Sequence, residues 1–360
     1  MMADRLEYLH LLPPVTDQIW SGHAIHDAER DVIRADDVSV PIELPVFWYE
    51  PNWIRLNPTI ADQLAVAVAN LGVTVSALAR DLGAPEFQAG LLCDQSDEDS
   101  SESYLPRMVP YRVERYGLSP EDFDEARVID VRLSAVRNPD GRLAYAPNQM
   151  QRWEQAPEES PIAGGGYVAA GTFPPDVVSL QQLAIKLSQL RQLAPHAAVL
   201  VSVGPFNLEE EIPALLASKP DGLILRLDEV EVQGKYLAGA ICGAKKLLRD
   251  NDASDLPLWI VPGAVTADDI AKMIALGVSA VAIDAWCEPL LDAAIEATPV
   301  SRYRVAPTID AHALAAEYLQ KDLERVIGLT STISPGKTPK QLLGSFHPTW
   351  AKLCRVKQLH

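Results

Sequence analysis

Cysteine is scarce. Four residues, Cys93, Cys242, Cys287 and Cys354, are scattered with no Cys-x-x-Cys spacing. That pattern excludes a disulfide framework or a cysteine zinc centre as a reading of the sequence, and leaves reduced, partly buried thiols. Positive charge is short too, with 31 Lys and Arg against 49 Asp and Glu, a net charge of −18 and a pI near 4.8. Phosphate backbones are gripped by clustered cations, so nucleic acid is not an expected partner. No apolar run approaches the length of a membrane helix, and Met1-Met-Ala-Asp-Arg-Leu-Glu7 lacks the apolar centre of a secretion signal. The expectation is a cytoplasmic protein without membrane contact.

Metal and nucleotide motifs are equally thin. His23 and His26 form a His-x-x-His pair with no third ligand at a fixed spacing, so they read as solvated surface histidines. The tract Asp94-Gln-Ser-Asp-Glu-Asp-Ser-Ser-Glu-Ser103 lacks the turn glycine and closing Glu of a calcium loop, and reads as a mobile solvated loop. Ser334-Pro-Gly-Lys-Thr338 lacks the earlier glycine of a phosphate loop and reads as a turn before a helix. Lys235, Lys245 and Lys246 share a helix and read as surface charge.

Apolar residues, by contrast, make up 48% of the chain, enough for a large core. Residues 196–284 carry the clearest pattern. Four short runs rich in Val, Ile and Leu (Ala198–Val203, Gly222–Leu227, Leu256–Val261, Ala280–Ile283) alternate with segments of helical spacing: Asn207–Ser218, Gly234–Asp250 and Thr266–Leu276. The runs do not alternate with polar residues, so both faces are expected to be covered, as in a parallel sheet. Strand, helix, strand at this interval is the βαβ signature.

The same beat extends backwards. Glu43–Tyr49, Val73–Leu78, Met108–Val113 and Arg127–Leu133 read as strands, and Pro58–Leu71 and Val178–Leu193 as helices. Strand starts at Glu43, Val73, Met108, Arg127, Ala198, Gly222, Leu256 and Ala280 total eight, the number of an α/β TIM (β/α)8 barrel of about 250 residues. The expected organisation is an N-terminal extension over 1–40, the barrel over 41–305 and a helical C-terminal region over 306–360 packed on it. Residues 134–176 have little periodicity, and a stretch of that length in a compact domain is usually functional or mobile. After the eighth strand, Pro289–Ala297, Ile309–Leu329, Thr338–Phe346 and Pro348–Arg355 are expected to be helical. Trp48, Tyr49 and Trp53 are read as core residues beside the first loop.

Several stretches in this order resemble the FMN-binding barrel of the glutamate synthase family. They are Arg115-Tyr-Gly-Leu-Ser-Pro-Glu-Asp-Phe-Asp-Glu-Ala126 before Val128–Ser134, Pro175-Asp-Val-Val-Ser-Leu-Gln-Gln-Leu183 before Val199–Val203, and Val261-Pro-Gly-Ala-Val-Thr-Ala-Asp-Asp-Ile270 before Leu276–Val281. Glu317–Leu329 followed by Thr338-Pro-Lys-Gln-Leu-Leu343 is similar to the stretch after that family's barrel. The resemblance implies FMN, oxidoreductase chemistry in glutamate and amino-acid nitrogen metabolism, and cofactor contacts at Ser202, Gly204, Arg226, Gly263, Thr266 and Asp284. Within it, Gly263 and Thr266 would meet the phosphate, and Ser202 and Arg226 the ring or substrate.

At the family's motif positions this chain carries other residues. Leu91–Ser100 stands where a Gly-Glu-Gly-Gly segment is expected, Val201-Ser-Val-Gly204 has no lysine, and Arg226-Leu-Asp-Glu-Val-Glu231 replaces a glycine-rich run. Cys287 has no partner at cluster spacing, so no iron–sulfur cluster is expected. Asp284 beside a phosphate would repel it unless the carboxylate points away. No catalytic residue is assigned.

Three readings stay open at this point. One is the flavin oxidoreductase. The second is a non-catalytic binding or regulatory barrel without flavin, its partner a small molecule or a protein. The third is an enzyme using Asp228, Glu229 and Asp284 as strand-end carboxylates. Association into homo-oligomers through helical faces is left open.

Overall fold

A computed structural model describes residues 4–13, 31–82, 105–111, 118–132, 136–137, 143–145, 168–169, 180–228, 234–298, 309–331, 333 and 337–360. His23, His26, Cys93, the acidic tract 94–103, Glu229, the glycines at 164–166 and residues 334–336 lie outside the described residues, as does most of 134–176.

Eight parallel strands close into a barrel. They are β1 (Val46–Trp48), β2 (Thr74–Ser76), β3 (Arg107–Tyr111), β4 (Ala126–Arg132), β5 (Ala198–Val203), β6 (Gly222–Arg226), β7 (Leu258–Val261) and β8 (Ala280–Ala282). Each pairs with its sequence neighbour, and β8 pairs with β1 through Val281–Val46 and Ala282–Phe47. The fold is an α/β (β/α)8 barrel.

The two faces of each strand explain the continuous apolar runs. Val199, Val201, Leu223, Leu225, Leu258 and Ile260 point out into a layer shared with the helices. Phe47, Met108, Val128, Leu200, Ile224, Trp259 and Ala282 form the barrel interior. With two buried faces a strand has no reason to alternate with polar residues. Large and small residues share the interior: Phe47 lies 4.9 Å from Trp259, and Ala280 and Ala282 face them from β8.

The helices follow chemistry visible in the sequence. Asn57 caps α1 (Pro58–Ala69) through the Thr59 amide, with Pro58 at the first helical position. Ser119 and Asp122 form a capping box on α2 (Pro120–Glu125). The outer layer continues with α3 (Leu180–Leu193), α4 (Leu208–Leu216), α5 (Gly234–Asp250), α6 (Ala267–Ala275) and α7 (Asp284–Ala297). After the barrel come α8 (Ala311–Ala315), a π-helical turn at Ala316–Gln320, α9 (Lys321–Thr330), α10 (Pro339–Leu342) and α11 (Pro348–Cys354).

Three segments depart from the sequence reading. α7 begins at Asp284, five residues before Pro289, which sits inside it. Its first turn is fixed by tertiary bonds: Trp286 Nε1 donates to the Val265 carbonyl (2.7 Å), and the Asp284 carboxylate is held by the turn after β1. The span 309–329 is broken by the π-helical turn. The span 338–346 is helical only to Leu342, and Leu343–Ser345 then forms a strand between His10–Leu11 and Lys357–Gln358.

That small sheet ties the start of the chain to its end. Ser345 Oγ donates to the Tyr8 carbonyl (2.7 Å), and the Tyr8 ring lies 5.5 Å from Trp350. Leu6 and Leu9 are fully buried. The amino end of the barrel is closed by the hairpin Val32–Ile33/Ser39–Val40, whose Val32 and Val40 join the interior cluster. Asp221 pins that end by accepting from the amides of Ala35 and Val199, each at 2.8 Å.

Candidate functional site

The carboxyl ends of barrel strands are where such folds hold their ligands. Here that rim is filled by an ionic network. Asp130 and Arg132 are two apart on β4, so both side chains point inward. Asp130 is fully buried and Arg132 nearly so. Arg132 Nε donates to Asp130 Oδ2 (2.6 Å), its Nη1 to Glu50 Oε1 (2.6 Å) and its Nη2 to the Tyr49 carbonyl (3.2 Å). Ser202, at the end of β5, donates to Asp130 Oδ1 and shares a 3.0 Å hydrogen bond with the Tyr49 hydroxyl.

Arg226 closes the ring from β6. It bonds Asp228 (3.1 Å) and approaches Glu50 at 3.8 Å. The Tyr49 ring carries both guanidinium groups, Arg132 at 4.4 Å from its centroid and Arg226 at 5.3 Å. Burial holds the Tyr49 phenol well above its ordinary value. Burial also opposes the Arg132 charge, but Tyr49, Glu50 and Asp130 outweigh it and the guanidinium stays protonated.

Asp284 lies next to this ring without joining it. Its Oδ1 accepts from the amides of Tyr49 (2.9 Å) and Glu50 (3.1 Å), locking the turn after β1 onto the start of α7. Burial and the nearby Glu50 carboxylate push its pKa up to about 7, although the two amides pull the other way.

The loop after β7 is engaged as well. Gly263 has a φ of +79°, a conformation that suits glycine. Arg5 Nη1 donates to the carbonyls of Pro262 (2.5 Å) and Ala264 (3.3 Å), and lies 3.8 Å from where a Gly263 Cβ would stand. Thr266 caps α6 in a closed box: its hydroxyl donates to Asp269 Oδ2 (2.9 Å) and accepts from the Asp269 amide (3.2 Å). Asp269 also accepts from the amides of Arg5 (3.2 Å) and Leu6 (2.7 Å). Lys272 holds Asp4 at 2.6 Å. Residues 4–6 thus form a strap across the β7–α6 loop.

The six residues named from sequence fall into two groups. Ser202 and Arg226 belong to the ionic ring, with Gly204 buried just beyond β5. Gly263, Thr266 and Asp284 lie in the loops after β7 and β8, with Thr266 facing its own helix and Asp284 facing β1. Glu50, Asp130, Arg132, Arg5 and Asp269 were not singled out. For two of them a signal existed: Ile129-Asp-Val-Arg132 puts paired charges on the inward face of a strand whose other residues, Arg127 apart, are apolar. Asp228 lies on the ring and Glu229 outside the described residues. Among the described residues no group of three or more His, Cys, Asp or Glu could hold a metal ion, and no helix is long and apolar enough to cross a membrane.

No family model matches this chain, and no curated protein matches it. Solved structures do. A double mutant of flavocytochrome b2 with pyruvate bound superposes with a TM-score of 0.51 at 11% identity, over 94% of this chain and 76% of that one. A single mutant of flavocytochrome b2 with benzoylformate gives 0.50 at 10% identity, over 99% and 79%. The shared property at this identity is the barrel.

Proposed function

We propose that this chain is a divergent barrel of the FMN-oxidoreductase type, similar to the glutamate synthase barrel, that works without flavin as a small-molecule-binding or regulatory protein. The observation that carries the reading is the state of the two loops where TIM barrels seat a phosphate. In the first, the carbonyls of Pro262 and Ala264 face a guanidinium, and the start of α6 is taken up by the carboxylate of Asp269. In the second, α7 opens with a buried carboxylate, Asp284. A phosphate dianion needs free amides and no adjacent buried carboxylate, so these residues do not fit FMN.

The ring position argues the same way. Ser202 and Arg226, which would meet a flavin ring or its substrate, are bonded to Tyr49, Asp130, Glu50 and Asp228. The ring's outer edge is formed by Glu50, Arg226 and Asp228, groups of both signs. That edge suits a small polar molecule more than an isoalloxazine.

Titration of the purified chain with FMN, followed by flavin fluorescence, tests the reading. Saturable quenching in the micromolar range would sink it, and a flat response supports it. The second reading, an FMN-dependent oxidoreductase, is favoured by the barrel shared with flavocytochrome b2 and by the positive φ at Gly263, which leaves room for close backbone approach.

A further inference from the structure

Cys242 and Cys354 are far apart in sequence and meet in the fold. Cys242 lies on the outward side of α5, partly exposed, and Cys354 is the last residue of α11, buried. Their thiols share a hydrogen bond. The helices approach closely beside them: a Cβ on Gly239, one turn before Cys242, would stand 3.8 Å from Leu353. A residue further on, Arg355 takes a left-handed conformation (φ 52°) and turns the chain away, which leaves the Cys354 side chain against α5.

We propose that Cys242 and Cys354 are a reversible redox pair, whose disulfide clasps the C-terminal helix, and through it the N-terminal strap, to the barrel. The link from clasp to strap is continuous. α11 carries Trp350, which packs on Tyr8, and Ser345 in the preceding strand holds the Tyr8 carbonyl. Tyr8 lies three residues after Arg5, the residue that sits on the β7–α6 loop.

The chemistry balances with a peroxide as oxidant. The Cys242 S–H donates to Cys354, which lowers the Cys354 thiol below its ordinary range and raises Cys242. Cys354 thiolate attacks the peroxide, an S–O bond forms, the O–O bond breaks and hydroxide leaves. The Cys242 sulfur then attacks the sulfenic sulfur, S–S forms as S–O breaks, and water leaves with the Cys242 proton. Two thiols give up two electrons and two protons, and the peroxide becomes two waters. Burial and the Asp284 carboxylate both raise the Cys287 thiol, whereas at Cys354 the bond from Cys242 outweighs burial, so Cys287 is a poor competitor.

The test is peroxide treatment of the full-length chain, then non-reducing peptide mapping. The expected product is a Cys242–Cys354 cross-link that dithiothreitol reverses, with slower proteolysis near residues 4–11. The Cys93→Ser/Cys287→Ser double variant should keep the cross-link, and Cys242→Ser should lose both the link and the added protection. Oxidation that yields sulfinic acid or other pairings in the unaltered chain, without this link, overturns the proposal. The result does not depend on what the barrel mouth binds.

Discussion

Three side chains set the behaviour of the mouth, and each gives a prediction at its own position. Asp284 has a folded pKa of about 7 against an ordinary 3.8. Between those values the native chain keeps a proton that the unfolded chain has released, so this group makes stability fall as pH rises, with the loss complete above 7. Asp284→Asn keeps the oxygen that accepts from Tyr49 and Glu50 and removes the titration. Urea unfolding at pH 4.5 and 7.5 should therefore show a smaller loss for the variant than for the parent; equal losses would contradict the assignment. Arg132 is the counter-charge of fully buried Asp130, and Arg132→Leu strands that carboxylate. The expected cost is about 3–5 kcal/mol by chemical denaturation, since breaking a buried pair leaves an uncompensated charge. Tyr49→Phe removes only the bond to Ser202 and should cost about 1 kcal/mol, keeping the order of the two variants clear.

At the level of elements, the strap is the feature that local pattern hides. Gly234 opens α5 with the Arg5 carbonyl so close that a Cβ there would come within 1.6 Å of it. Gly234→Ala should thus push the strap away and speed proteolysis near residue 5, while leaving the barrel's far-UV circular dichroism unchanged. Thr266→Ala opens the α6 capping box and should cost about 1 kcal/mol, read as a shift in the urea midpoint without a change in slope. Helix caps such as Asn57, Ser119 and Thr266 leave a local mark in the sequence, because their bonds span only a few residues. The strand Leu343–Ser345 was not, because its partner His10–Leu11 comes from the other end of the chain. The early start of α7 escaped for the same reason, since Val265 and Tyr49 hold its first turn from elsewhere.

For the molecule as a whole, the barrel was readable from eight strand starts, most clearly from the four apolar runs after residue 196, because burial on two faces leaves a mark in each of those strands separately. The site was readable only in part. Ser202 and Arg226 were named through the family resemblance, yet their meaning changed once Tyr49, Asp130 and Glu50 were seen to hold them. Those contacts join residues of β4, β5 and β6 to the turn after β1, and no spacing in one segment encodes them. The molecule that results has the frame of a (β/α)8 barrel and fills the loops after β7 and β8 with its own Arg5, Asp269 and Asp284. The most direct test is acid release and quantitation of flavin from the purified full-length chain, alongside its visible spectrum. The account predicts a colourless protein that yields no flavin even after purification with added FMN, whereas one FMN released per chain would contradict it.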